Sequence, residues 1–152
     1  MKKLLLTLLL SIISNQSIAD EDFYDTAHNL ATCSADIELS SRLILLGGYY
    51  GEAQSQVLKE KANGWLIASV VLFMLDGMGS EGAWSSAQGV KDTTLSNWAA
   101  KIEFVTNSSL SEKEQKSNFT KIIDELEILI PDCLLYENLV EESIKTYRKM
   151  AY

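Results

Sequence analysis

An all-α bundle of four main helices plus one or two short helices, closed by one disulfide between Cys33 and Cys133, is the fold the sequence predicts. Three observations lead there. Apolar residues recur at threes, fours and sevens along most of the chain, which is the helical period. One stretch, Trp65 to Leu75, is uncharged and apolar at nearly every position. Finally, the two cysteines follow an N-terminal segment built like an export leader, so they are expected to meet an oxidising compartment.

Trp65 to Leu75 is bounded by Gly64 on one side and by Asp76-Gly77 on the other. As a helix it spans about 16 Å, roughly half the hydrocarbon core of a bilayer, so it reads as an element buried in protein. A helix that is apolar all round needs neighbours on several sides, and the first, third, fourth and last predicted helices each offer an apolar face. Val70, Val71 and Phe73 favour strands. No other segment offers a partner strand, however, and helix is the expectation.

Lys2 and Lys3, an apolar run from Leu4 to Ile13, and the ending Ser17-Ile18-Ala19 form a signal-peptide pattern that predicts cleavage after Ala19. Residues 20–152 would then be a single helical domain in the periplasm or outside the cell. Losing the two lysines takes the formal charge from −8 to −10. Such a balance disfavours nucleic acid and anionic membrane surfaces as partners and favours a basic protein. The acid is concentrated early: Asp20, Glu21, Asp22, Asp25, Asp36, Glu38 and Glu52 face only Arg42 between Asp20 and Leu58. In the expected compartment Cys33 and Cys133 pair. A loop of about 100 residues closed in this way stabilises the fold by up to roughly 4.7 kcal/mol in the chain-entropy account.

From Asp22 to Leu46, Phe23, Ala27, Leu30, Cys33, Ile37 and Ile44 share one face, and the acids at the start complement the helix dipole. Gly47-Gly48-Tyr49-Tyr50-Gly51 ends this helix. Glu52 to Met78 is helical again, with Asn63-Gly64 expected to be a sharp joint between two helices. Asp76 to Gly82 reads as a loop, Trp84 to Val90 as a short helical turn, and Asp92 as the cap of a third main helix carrying Leu95, Trp98, Ile102 and Val105. Ser111-Glu-Lys-Glu114 is a capping box. It opens a fourth helix with Phe119, Ile122, Ile123, Leu126 and Ile130 on one side, ended or kinked by Pro131. A last helix from Asp132 places Cys133, Tyr136, Val140, Ile144 and Tyr147 together.

Catalytic groups are sparse. His28, the only histidine, stands five residues from Cys33, about 140° around a helix, so the two do not form a nucleophile–base pair. Neither a histidine pair nor a Cys-x-x-Cys motif is present to suggest a metal, and the glycine-rich turn lacks the lysine of a phosphate loop. Asp124-Glu125-Leu-Glu127 and Glu141-Glu142 read as solvated faces. Asn107-Ser-Ser and Asn118-Phe-Thr match the glycosylation pattern but read as chance matches in a bacterial-looking chain.

These features lead to an expected non-enzymatic module without catalytic, metal or cofactor sites. It would bind a basic protein through Asp20, Glu21, Asp22, Asp25, Tyr49 and Tyr50, most concretely as an inhibitor or immunity-type protein against an envelope-acting enzyme or toxin. A periplasmic chaperone or adaptor of an envelope machine is one alternative. A binder of a small apolar ligand within the bundle is the other.

Overall fold

A computed structural model describes residues 22–47, 52–105 and 109–150. These form five helices: α1 (Phe23–Gly47), α2 (Glu52–Leu75), α3 (Ser80–Val105), α4 (Glu112–Leu134) and α5 (Glu137–Met150). Cys33 and Cys133 are joined, with their Cα atoms 5.5 Å apart. The all-α, disulfide-closed bundle is therefore as the sequence predicts, with four long helices and a shorter fifth.

α1 and α2 are the antiparallel pair at its centre. Ala27, Ala31 and Ala35 of α1 and Ala62 and Ala68 of α2 have no exposed surface, and Ala27 and Ala62 lie where the two helices touch. Small side chains let the two backbones approach, and serines then reach across the joint. Ser34 Oγ donates to the Ala62 carbonyl at 2.7 Å, Ser69 Oγ donates to the Ala27 carbonyl at 2.6 Å, and the Ser41 and Ser55 hydroxyls lie 2.9 Å apart. Each of these four serine hydroxyls thus has a partner on the facing helix, which avoids the cost of an unpaired one.

Val70, Val71, Leu72 and Phe73 are fully or almost fully buried, so Trp65–Leu75 is a core element. α1, α3 and α5 cover it. The expected fourth neighbour does not: α4 makes its main contacts with α1 and α3. There Ile122 and Leu126 join Leu39, Leu43 and Trp98 in a second, smaller apolar cluster. Cys133 alone carries α4 into the larger cluster, which includes Cys33 and Ile37.

Several local expectations are corrected. Asn63-Gly64 is no joint, because α2 runs unbroken from Glu52 to Leu75. Gly64 is instead where α5 crosses: a Cβ there would stand 3.2 Å from Ile144 Cδ1 and 3.8 Å from Val140 Cγ1. The loop after α2 is also shorter than predicted. Gly77, with φ +104°, ends α2; the Met78 amide bonds the Phe73 carbonyl and the Gly77 amide bonds the Met74 carbonyl, the paired bonds of a Schellman stop. Helix then resumes at Ser80, and Trp84 to Val105 is continuous with it. Asp92 is no cap; it lies inside α3 and accepts from Gln88 at 2.8 Å.

Pro131 does not end α4, which reaches Leu134. It sits exposed in the last turns, where a missing amide bond leaves a carbonyl that water can reach. The last helix consequently starts at Glu137, and Cys133 belongs to the end of α4. The capping box is as predicted: Glu114 N donates to Ser111 Oγ at 3.4 Å, and Ser111 N donates to Glu114 Oε2 at 2.9 Å.

Candidate protein-binding groove

A groove of about 360 Å³ opens where the end of α4 meets the middle of α1. Asn29, Thr32 and Asp36 supply its α1 wall, while Leu129 and Asp132 of α4 and Leu135 and Tyr136 of the following turn supply the other. The Cys33–Cys133 bridge lies between the two walls and ties them together. Asp25, Asn29, Thr32 and Asp36 follow one another at four, three and four residues, so they form one stripe of α1. The exposed Asp25 therefore extends the line of the α1 wall.

Asp36 is the unusual member. Only 3 % of its surface is exposed, and its Oδ1 accepts the Trp98 indole N–H at 2.7 Å. Burial pushes its carboxyl above the ordinary aspartate range; the Trp98 bond and Lys101 pull the other way, and Glu125 adds to the rise. Lys101 is itself engaged, paired with Glu125 and set 4.3 Å from the centre of the Trp98 ring. Among the described residues the groove lining holds two carboxylates, Asp36 and Asp132, and no lysine or arginine.

Its other property is apolar exposure. Ile128 and Leu135 are 72 % and 73 % exposed, and Leu129 and Leu134 are also open. Seven residues separate Ile128 from Leu135, which sets them on the same side of α4 and its continuation. A second groove of about 530 Å³ lies between α3 and α4, next to Phe104. There Lys101 and Lys121 face Glu125, so its charge is mixed.

The predicted partner-binding residues separate into two sets. Asp20, Glu21, Tyr49 and Tyr50 lie outside the described residues. Asp22 and Asp25 are exposed at the start of α1, and Asp22 Oδ1 also accepts from the Tyr24 amide at 3.4 Å, as a helix cap does. Asp36 and Glu38, counted in the sequence among the acids concentrated between Asp20 and Leu58, turn inward. Glu38 Oε2 takes the buried Lys91 ammonium at 2.6 Å, and its Oε1 takes Arg42. Sequence reasoning missed Asp132, Leu129 and Leu135. The seven-residue spacing of Ile128 and Leu135, off the face that carries Ile122 and Leu126, was the available signal.

No protein-family model, curated protein or solved structure matches the chain. Function therefore rests on chemistry. Among the described residues no group of three or more His, Cys, Asp or Glu side chains is placed to hold a metal ion. His28 is exposed. Also among the described residues, no helix is long and apolar enough to cross a membrane.

Proposed function

We propose that this protein is an exported acidic binding module, most concretely an inhibitor or immunity-type protein that neutralises a basic enzyme or toxin of the cell envelope. The observation that carries this reading is the groove beside the disulfide, with two carboxylates and no cation among the described residues of its lining, and exposed leucines on its rim. A surface of that kind attracts a cationic protein at long range and offers apolar area for the contact itself. The serine-stitched α1–α2 pair and the disulfide hold the surface rigid, which lowers the ordering cost of binding.

A second reading, an adaptor or chaperone of an envelope machine, is favoured by the exposed Ile128, Leu129, Leu134 and Leu135. Residues 20–152 immobilised and challenged with envelope extract separate the two. Recovery of one dominant basic protein supports the inhibitor, a spread of unrelated clients supports the chaperone, and recovery of acidic proteins alone counts against both.

A further inference from the structure

We propose that the groove beside Cys33–Cys133 is a slot for an arginine- or lysine-bearing segment of the partner. The cation meets Asp132 and Asp36, and apolar side chains next to it lie on Leu129 and Leu135. The proposal rests on the protein-binding reading and adds the surface and the chemistry of the occupant.

Charge complementarity selects that occupant. Asp36 is held in place by the Trp98 indole at 2.7 Å, and the lysine acting on it is already engaged with Glu125. A buried carboxylate so placed gains a countercharge from an incoming cation without reorganising. Asp132 stands exposed at the mouth and adds a second negative charge on the approach. At about 360 Å³ the groove lies near the lower end of the roughly 300–1,000 Å³ range of ligand pockets, so it admits one or two side chains. The flanking leucines then cover apolar neighbours of the cation or its own methylene stem. A purely apolar ligand would desolvate the exposed Asp132 and bring no countercharge to either carboxylate. A second copy is the other candidate occupant, since α5 ends in Arg148 and Lys149.

The test uses the Trp98 indole ¹⁵N–¹H resonance, because its proton is bonded to Asp36. The probe is the peptide acetyl-Gly-Leu-Arg-Leu-Gly-amide, with glutamate in place of arginine as the control, added to residues 20–152 with the disulfide intact. The arginine peptide is expected to shift the Trp98 signal saturably, and the glutamate peptide to leave it still. Asp132→Asn should weaken the arginine peptide by roughly fivefold, the equivalent of about 1 kcal/mol. Glu112→Gln, 20 residues and about 30 Å up α4 from Asp132, should change nothing.

Equal shifts from both peptides, an unmoved Trp98 signal, or undiminished affinity in Asp132→Asn would overturn the slot. Shifts that grow with protein concentration before any peptide is added would assign the groove to a second copy. Capture of a basic envelope protein that survives Asp132→Asn sinks the slot and leaves the protein-binding reading standing. A peptide that fills the groove, with only acidic proteins captured from extract, does the reverse.

Discussion

The Trp98 indole N–H donates to Oδ1 of Asp36 at 2.7 Å, joining α3 to α1 across 62 residues of chain. The bond sets up a conflict between stability and binding. Burial raises the folded-state pKa of Asp36 above the unfolded value near 3.8, so the native protein binds the extra proton. Its stability therefore rises as pH falls through the window from the raised value down to that of the unfolded chain, and is lower above it. Asp36→Asn keeps an acceptor for Trp98 and removes the buried charge. At neutral pH it should be as stable as the parent or more so, without the parent's gain on acidification, while binding a cationic partner less well. Asp36→Ala orphans the indole N–H and should cost about 1–3 kcal/mol. Urea titrations at several pH values measure both, and an asparagine variant less stable than the alanine one would contradict the argument.

Glu38 behaves in the opposite sense. Burial opposes the Glu38 charge, but hydrogen bonds from Lys91 and Arg42 prevail and hold its carboxyl below the ordinary glutamate range. The stability this pair contributes is present above the unfolded value near 4.5 and is lost as pH falls through the lowered folded value. Glu38→Gln leaves the buried Lys91 ammonium without its anion. A loss of about 3 kcal/mol is expected, together with a shallower acid transition by circular dichroism. An unchanged acid midpoint would show that the pair contributes nothing.

Gly64 and Val71 test the packing of α2. Gly64→Val pushes a branched side chain against Ile144 and should loosen α5, seen as faster amide exchange from Leu139 to Thr146. Val71 is fully buried, and Val71→Asp should abolish cooperative unfolding by placing an unpaired charge in the core. Asp25→Lys, on the exposed stripe of α1, should leave the melting temperature within a few degrees of the parent. A folded Val71→Asp protein would mean that α2 is not the centre of the core.

The disulfide has a local role as well as a global one. α4 packs on α1 and α3 through a small cluster, and Cys133 anchors its far end. Reduction, or Cys133→Ser, should lower stability by up to about 4.7 kcal/mol. Amide exchange should rise first over Leu126 to Tyr136, and the groove should cease to bind. Uniform exchange along the whole chain would argue against a local anchor.

Much of the fold was legible because it rests on local signals. The period of Ala27, Leu30, Cys33 and Ile37, the Ser111–Glu114 box and the pair of cysteines each point to their structures without knowledge of the rest. What escaped depends on distant residues. Gly64 resembles a helix break until Ile144 is placed beside it. Asp36 and Glu38 resemble surface acids until Trp98 and Lys91, far along the chain, are seen to be their partners. Pro131 resembles a stop until its exposed position in the last turns of α4 is known. The groove was hidden for the same reason: its two walls lie about 100 residues apart and meet only through the disulfide.

The most direct test of the binding account is the association rate between residues 20–152 and the basic envelope protein they capture, measured from low to high salt. Electrostatic capture predicts a steep fall in the on-rate as salt screens the acidic surface, and a smaller fall for the doubly neutralised Asp25→Asn, Asp132→Asn protein. A rate that stays flat across the salt range in both proteins would contradict it.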